Sequence, residues 1–323
     1  MSEFFVHPAA ICESVQVGRG TRISAFAHVL PGAQIGADCT IGDHVLIEND
    51  VVIGARVTIG PGAQLLDGVR LGDDVVVGPN ATFANGVPAN GPKTLGELPP
   101  TLVADHASIG GGATLDRGIT VGRNARIGAG AVVTTSVPAN AIVHGNPAVI
   151  KGYVDAIRPQ SPLSPTVTGE AMDLVGGARL VHLTRADDLR GSLAASELTR
   201  DLPFVPKRFF VVYRVPSAEA RGEHAHRACH QFLICLAGSV VVLVDDGTER
   251  AQVVLDNPGI GLYMPPMVWS TQYAHSPDAI LAVLASDPYD SNDYVREYDE
   301  FLSLRRGDAT TDASATPPTG AAS

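Results

Sequence analysis

Two histidines lie two residues apart in the segment RGEHAHRACHQFLICLAG, residues 221–238. Side chains in a β-strand alternate between its faces, so His224 and His226 are expected to project from the same face. Two imidazoles placed in this way can bind a metal ion, or they can move protons without one. Because the ordinary imidazole pKa is about 6.5, histidine can accept and return a proton near neutral pH.

Short runs of alternating apolar residues surround this pair. They read FFVVYRV (209–215), QFLICLAGSVVVLVDD (231–246) and AILAVLAS (279–286), and Gly, Pro and Asp turns separate them. This pattern is typical of antiparallel all-β structure. A His-x-His between two strands, followed by a DDG turn and another strand, resembles a cupin-like jelly-roll barrel, whose mouth is the expected ligand cavity.

The residues that would complete a metal site are missing from this pattern. A metal-binding cupin continues with a glutamate and, in a later strand, a further histidine, whereas this chain has Gln231 and Trp269 there. Two neutral imidazoles hold a divalent ion weakly compared with three or four protein ligands. His230 has the parity to supply a third ligand, so that alternative stays open. We predict no metal, with His226 as general base and His224 as its partner or proton relay.

The first half of the chain has a period of six residues. From Val17 every sixth residue is aliphatic as far as Val77, with Phe83 in phase, and a second run with a different phase extends from Val103 to Val133. Neither an α-helix nor a hairpin produces a sustained period of six. Six residues suit one short strand and a turn, so the repeat predicts a left-handed parallel β-helix. The change of phase predicts that a loop, ANGVPANGPKTLGELPPT (84–101), is extruded from it.

The repeat resembles the hexapeptide-repeat acyltransferases, whose β-helices trimerise and bind acetyl-CoA between subunits. The words IENDVVIG (47–54), DGVRLGDDVVVGPNATFAN (67–85) and IGAGAVVTTSVPANAIVHGNPAVIKGYV (127–154) are similar to the sugar-nucleotide N-acetyltransferases. The resemblance implies a sugar site and a cofactor site. The implied sugar-site residues are Asn80, Asn85, His44, Glu48 and Asn49. The implied cofactor-site residues are Asn146, Pro147, Ala148 and Lys151. His44 and His106 are candidate polarisers of the amine nucleophile.

The second half resembles the sugar-nucleotide 3,4-ketoisomerases (WxcM-like). The resemblance rests on RGSL (190–193), KRFF (207–210), RGEHAHR (221–227), LDNPGIGLYMPPMVW (255–269) and YDSNDYVREYDEF (289–301). Such enzymes convert a dTDP-linked 4-keto-6-deoxyhexose into its 3-keto isomer. The histidines would carry the proton through an enediol, and Tyr213 would bind an enediol oxygen or remain a half-exposed strand residue. The residues expected to bind the substrate are Arg208, Arg221, Arg227, Gln231 and Trp269, the last of which is also a natural core residue.

Composition limits the remaining classes. The chain has 323 residues, 45% hydrophobic and 18% charged, with a net charge of −11, which argues against non-specific binding to nucleic acid or acidic membranes. No apolar run approaches the ~20 residues of a membrane span, and no signal peptide is expected. Four cysteines without CxxC spacing indicate a reduced, cytoplasmic protein.

These observations predict an all-β chain with two catalytic domains. We expect a β-helix N-acetyltransferase domain over 1–155, a linker over 156–171, a cupin-like ketoisomerase domain over 172–305 and a disordered tail over 306–323. The chain would act on dTDP-linked keto- and amino-deoxysugars, use acetyl-CoA, and form a trimer through the β-helix or a hexamer. Two alternatives remain: a cupin module that only binds sugar nucleotide, and a metal-dependent cupin enzyme.

Overall fold

The computed structural model describes residues 4–84, 99–157, 171–189, 191–216 and 219–307. The chain divides into two compact units, residues 1–156 and 157–323. Within the predicted linker and tail, residues 158–170 and 308–323 lie outside the described residues. No helix in the described ranges is long and apolar enough to cross a lipid bilayer.

The first unit is a solenoid of very short parallel strands arranged on three faces. The first face contains Phe5–Val6, Arg22–Ile23, Thr40–Ile41, Thr58–Ile59, Val76–Val77, Ser108–Ile109, Arg126–Ile127, Ala141–His144 and, antiparallel, Val149–Tyr153. The second contains Ile11–Cys12, His28–Val29, Leu46–Ile47, Gln64–Leu65, Thr82–Phe83, Thr114–Leu115 and Val132–Val133. The third contains Gln16–Val17, Gln34–Ile35, Val52–Ile53, Val69–Leu71, Thr101–Val103 and Thr120–Val121.

The aliphatic residues of the six-residue period form the core of this solenoid. Every one of them from Val17 to Val133 is at most 7% exposed, and each stacks on its equivalent in the next coil, as Leu65, Phe83 and Leu115 do. The residue two positions earlier is also buried from the second coil onward, and it is mostly a small or β-branched residue, such as Ala63 or Val45. The predicted parallel β-helix is therefore confirmed.

The change of phase in the repeat corresponds to an insertion between two coils. Gln64 pairs with Thr82, 18 residues later, but Thr82 pairs with Thr114, 32 residues later. The strands on either side therefore remain in register although the chain between them is longer than one coil. Residues 85–98 of the predicted loop, including the predicted sugar-site residue Asn85, lie outside the described residues.

The second unit is built from two antiparallel sheets. One contains, in spatial order, Arg250–Leu255, Val240–Asp245, Trp269–Tyr273, Arg221–His226 and Tyr294–Val295. The other contains Ala171–Asp173, Arg179–His182, Ile260–Met264, Gln231–Ala237, Ile280–Ala285 and Arg208–Tyr213. Thr184–Asp188 and Gly191–Ala195 form a separate hairpin, and the two-residue strand Ala156–Ile157 lies at the boundary between the units.

The two sheets enclose one apolar core, as the predicted jelly-roll barrel requires. Buried residues of both sheets pack together there, among them Leu233, Val242, Val244 and Leu281. The helix Tyr298–Arg306 covers the outside of the first sheet, where the fully buried Phe301 packs on Trp269. Short 3₁₀ turns occur at Val175–Gly177 and Ser291–Asp293.

Candidate active site

The two histidines face each other from a single strand, and we call them the histidine pair. His224 and His226 belong to the strand Arg221–His226, and their Nε2 atoms are 3.2 Å apart with ring planes at 82°. His224 stands opposite Ser270, which stands opposite the core residue Val244. Residues opposite one another share a face of a sheet, so the His224 side chain points into the space between the two sheets.

Both rings have a defined tautomer because their Nδ1 atoms face groups that only accept hydrogen bonds. Nδ1 of His224 donates to the carbonyl of Gly222 at 2.7 Å, and Nδ1 of His226 donates to the Asp293 carboxylate at 2.7 Å. The second oxygen of Asp293 accepts the backbone N–H of Ala228, which fixes the carboxylate. Each neutral ring therefore carries its proton on Nδ1 and a lone pair on Nε2. Between the two Nε2 atoms there is room for one more proton.

Gln231 reaches the pair from the opposite sheet. It begins the strand Gln231–Ala237, is 7% exposed, and its side-chain amide donates to Nε2 of His226 at 2.9 Å. Its side chain points inward because Leu233, two residues later on the same strand, lies in the core. Nε2 of His226 is consequently in contact with an amide donor and with the second imidazole.

Burial keeps both histidines neutral at pH 7. Desolvation lowers the pKa of His224 to about 4, against which its hydrogen bond to Gly222 acts. Desolvation also lowers the pKa of His226, while the hydrogen bond and charge of Asp293 raise it. The charges of Arg208 and Arg296 lower the pKa of His226 further. The resting pair is thus a free base whose protonated form Asp293 can stabilise.

Aromatic and cationic side chains surround the pair. The Tyr294 ring lies 4.8 Å from the His224 ring and 4.4 Å from the His226 ring, measured between centroids. The guanidinium of Arg296 lies 4.4 Å from the Tyr294 centroid, and that of Arg208 lies 4.4 Å from the Phe210 centroid. Stacked guanidinium groups remain able to bind the oxygens of an anionic ligand.

Sequence reasoning missed three of these residues, Asp293, Tyr294 and Arg296. They lie together in the word SNDYVREY, just before the helix Tyr298–Arg306. This segment contributed to the ketoisomerase resemblance. Its sequence does not, however, show that Asp293 contacts His226, which lies 67 residues earlier. The strand Tyr294–Val295 makes the connection, because it pairs with Ala225 and His226.

Of the residues predicted for this half, the structure brings His224, His226, Gln231 and Arg208 together, and it places Tyr213 and Trp269 elsewhere. Arg208 and Phe210 face inward on the strand Arg208–Tyr213, so Tyr213 lies on the opposite face and is 61% exposed. Trp269 is buried against Tyr298 and Phe301 on the outer side of its sheet. These placements agree with the alternatives left open for both residues, an exposed strand position for Tyr213 and a core position for Trp269.

Two other cationic candidates, and the candidate ligand His230, make their contacts with residues outside the pair. Arg227 forms an exposed ion pair with Glu300 of the C-terminal helix. Arg221 is exposed at the start of its strand, and its charge acts on His275. Nδ1 of His230 forms a hydrogen bond with the Tyr263 hydroxyl at 2.8 Å.

One group of potential ligand atoms includes a member of the pair. Donor atoms of His226, Cys229 and Asp293 lie within 4.8 Å of one another. Nδ1 of His226 and the Asp293 oxygen are, however, directly hydrogen-bonded at 2.7 Å, which is closer than two ligands of one cation usually approach. Cys229 contacts Ser286 at 3.7 Å. The donor set therefore fits a proton between imidazole and carboxylate better than a cation.

The sugar-site candidates of the solenoid make contacts between coils. His44 stacks on Phe26 with 4.9 Å between ring centroids, and Asn80 occupies the equivalent corner two coils further on. The Glu48 carboxylate accepts the backbone N–H of Asp67 at 2.7 Å, and the Asn49 side chain accepts that of Gly32 at 3.1 Å. His44 and Asn80 thus lie on one edge of the solenoid, whereas Glu48 and Asn49 are engaged in joining neighbouring coils.

The cofactor-site candidates lie together at the last coils. Asn146 and Pro147 are exposed in the turn before the strand Val149–Tyr153, which carries the exposed Lys151. The backbone N–H of Ala148 donates to the carbonyl of Val132 at 2.8 Å, which fastens this turn to the preceding coil. His106, by contrast, lies on a different edge from His44 and is 3.8 Å from Asp74.

The matches to protein-family models fall separately in the two units of the chain. Residues 176–306 match the family described as WxcM-like, C-terminal. Residues 14–49 and 50–85 match bacterial transferase hexapeptide repeats, and residues 100–135 match the hexapeptide repeat of succinyl-transferase.

Two curated proteins of Aneurinibacillus thermoaerophilus are similar to separate parts of the chain. TDP-4-oxo-6-deoxy-alpha-D-glucose-3,4-oxoisomerase is 42% identical over 38% of this chain and 88% of its own length. dTDP-3-amino-3,6-dideoxy-alpha-D-galactopyranose 3-N-acetyltransferase is 57% identical, but over only 12% of this chain and 19% of its own length. Among solved structures, the TDP-quinovose 3,4-ketoisomerase WlaRB of Campylobacter jejuni is 38% identical over 40% of this chain and 98% of its own, with a TM-score of 0.39.

Proposed function

Because residues 176–306 make this chain a member of the WxcM-like, C-terminal family, we propose that its second unit is a sugar-nucleotide 3,4-ketoisomerase. The substrate is a dTDP-linked 4-keto-6-deoxyglucose and the product is its 3-keto isomer. The observation that carries the proposal is the histidine pair, with both Nδ1 atoms committed to acceptors and two Nε2 lone pairs facing one another.

The reaction moves two protons and needs no redox step. A base removes the proton from carbon 3, the C3–C4 double bond forms, and the carbon 4 carbonyl oxygen takes up a proton to give an enediol. The hydroxyl on oxygen 3 then loses its proton as the carbon 3 carbonyl forms, and carbon 4 receives a proton. One proton thus moves from carbon to carbon and one from oxygen to oxygen. A placed acid–base residue accelerates such a step by about 10²–10⁴.

We assign the carbon-to-carbon proton to His226 and the oxygen-to-oxygen proton to His224. His226 has Asp293 at Nδ1, so the imidazolium formed when Nε2 accepts the carbon 3 proton is stabilised at once. The Nε2–H of that imidazolium can be shared with the lone pair of His224 across the 3.2 Å gap. Arg208 and Arg296 supply positive charge for the diphosphate and for the developing oxyanion.

The proposed isomerase works without a metal. The carboxylate and amide next to His226 are occupied in hydrogen bonds to its two ring nitrogens, and the proton transfers require only the facing lone pairs. The rate of isomerisation should accordingly be unchanged after prolonged treatment with a chelator, and adding manganese, zinc or iron should not raise it.

The first unit is proposed to be an acetyl-CoA-dependent N-acetyltransferase acting on a dTDP-3-amino-3,6-dideoxyhexose. Its solenoid and the hexapeptide matches support this assignment, as does the similarity to an amino-sugar acetyltransferase. A separate transamination, which converts the 3-keto group into an amine, would connect the two activities. The edge that carries His44 and Asn80 would face the sugar, to which Asn85 is also assigned on the resemblance, and the turn over residues 146–148 would face the cofactor.

The proposed assembly is a homotrimer through the solenoid, or a hexamer if the barrels also pair. An exposed apolar surface supports pairing of the barrels: Phe209 and Tyr213, each 61% exposed, lie on the outer face of an edge strand together with Val211. The four unpaired cysteines fit the reducing cytoplasm, where sugar nucleotides are made. Light scattering on the purified chain distinguishes three copies from six.

Product analysis tests the proposal directly. In deuterated water, proton NMR of dTDP-4-keto-6-deoxyglucose with the purified chain should show the 3-keto isomer, with deuterium at carbon 4 to the extent that the proton on His226 exchanges with solvent before it is returned to the sugar. His226→Asn should abolish the product while acetyl transfer from acetyl-CoA to the 3-amino sugar continues. Keto-sugar that binds but never isomerises would contradict the isomerase assignment and favour a binding module.

A further inference from the structure

Gln231 occupies a position that the proton chemistry alone does not require. Its amide N–H points at Nε2 of His226 from 2.9 Å, while Nε2 of His224 points at the same atom from 3.2 Å. A hydrogen on Nε2 of His226 would meet the amide hydrogen of Gln231. The contact therefore favours the unprotonated ring, since an N–H donor stabilises a lone pair and repels another N–H.

We propose that Gln231 is a positioning residue that keeps Nε2 of His226 free of a proton in the resting enzyme. This inference deepens the proposed isomerisation and rests on it for its kinetic consequence. Asp293 and Gln231 act on opposite ends of the same ring. The Asp293 carboxylate fixes the tautomer and stabilises the imidazolium that forms when the proton is abstracted. The Gln231 amide keeps Nε2 unprotonated before the reaction begins.

The charged groups around the pair cannot replace Gln231 in this role. Arg208 and Arg296 disfavour the imidazolium through space, but neither donates a hydrogen bond to Nε2 of His226, as Gln231 does. On its own strand, Gly222 acts on His224 through its carbonyl. The groups that face the pair from the packed elements are Asp293, Tyr294, Arg208, Arg296, Gln231 and the Gly222 carbonyl.

The first test measures the wild-type protein without substrate, and variants serve only to assign its signals. Nitrogen-15 NMR of histidine-labelled full-length chain, with assignments from His224→Asn and His226→Asn, reports the proton on each ring nitrogen. At pH 7 we expect both rings as neutral Nδ1–H tautomers. A His226 ring that carries a proton on Nε2 at pH 7 would overturn the inference, whether or not the chain proves to be an isomerase.

Two substitutions test the amide itself. Gln231→Met keeps the length of the side chain but removes the donor, and it should move the acid limb of kcat upward by about one pH unit. The position of the acid limb is the readout, and not the size of kcat or KM at high pH, because Gln231 belongs to the site itself. Gln231→Glu, whose carboxylate attracts a proton onto Nε2, should shift the same limb further in the same direction.

A matched control separates this effect from loss of a buried amide in general. Gln252 is also 7% exposed in the barrel and bonds to the Tyr273 hydroxyl, away from the histidine pair. Gln252→Met should leave the acid limb and the ring tautomers of the pair unchanged. If Gln231→Met and Gln231→Glu titrate like wild type by NMR, the positioning role is refuted. If the NMR shifts appear but no keto-sugar isomerises, the proposed function fails while the inference about Gln231 stands.

Discussion

Replacing Asp293 by asparagine should remove the base without removing either histidine. The carboxylate accepts two hydrogen bonds, one from Nδ1 of His226 and one from the backbone N–H of Ala228, each at 2.7 Å. An asparagine of the same shape has one accepting atom. If its oxygen remains with Ala228, its NH₂ group faces Nδ1 of His226, and that ring must move its proton to Nε2. The lone pair that should receive the carbon 3 proton is then lost.

The size of the effect has two parts. A carboxylate about 4 Å from the centre of an imidazolium stabilises it by up to about 4 kcal/mol at an effective dielectric constant of about 20, which is roughly a factor of 10³ in proton affinity. An inverted tautomer alone costs about 10⁴ in kcat in a Ser-His-Asp triad. We therefore expect Asp293→Asn to lower kcat by about 10³–10⁴, with KM within about threefold because the carboxylate is engaged by His226 and the backbone of Ala228.

The assay is the rate of carbon 3 proton exchange with deuterated solvent, followed by proton NMR at several pH values. Asp290→Asn is the matched control, because Asp290 caps the same 3₁₀ turn by accepting the backbone N–H of Asn292 but does not touch the histidine pair. The control should exchange at close to the wild-type rate. An Asp293→Asn enzyme that keeps more than a tenth of wild-type kcat would refute the role given to the carboxylate.

Three further expectations concern stability. The pKa of His224 is about 4 in the folded protein and ordinarily 6.5, so on acidification the unfolded chain binds that proton first. The free energy of unfolding should therefore be unaffected above pH 6.5 and should fall by about 3 kcal/mol as the pH drops towards 4. Urea titrations of wild type and His224→Asn should show this difference. Phe83→Ala, which empties a fully buried position between Leu65 and Leu115, should cost about 3–5 kcal/mol and lower the Tm of the solenoid in calorimetry. Tyr298→Phe, which removes a 2.7 Å hydrogen bond to the buried Asp245 carboxylate, should cost about 2 kcal/mol in urea unfolding with an unchanged m-value.

Sequence reasoning predicted the solenoid well because its signal is local and repeated. Each coil buries the same position, so a six-residue period in the letters becomes a column of stacked side chains such as Leu65, Phe83 and Leu115. The histidine pair could be predicted equally well from the sequence, because side chains alternate along a strand and residues two apart share a face.

The rest of the site depends on contacts that alternation does not specify. Parity predicts that Arg208 and Tyr213 project from opposite faces of their strand, but it does not say which face is inside, and the core lies on the side of Arg208. Asp293 reaches His226 only because a two-residue strand pairs at the edge of the sheet. Nothing in the acidic sequence around Asp293 indicates that the next two residues pair with the strand of His226.

The distance along the chain between His226 and Asp293 has a consequence for biosynthesis. Each solenoid coil pairs with a neighbour that has just been made, so the first unit can assemble while translation continues. The histidine pair, by contrast, acquires its carboxylate only after residue 293 has left the ribosome and the strand Tyr294–Val295 has docked. A ribosome-bound chain that ends shortly after Gln231 would hold both imidazoles and still lack the carboxylate that orients the base, so isomerase activity should be the last property that the nascent protein gains.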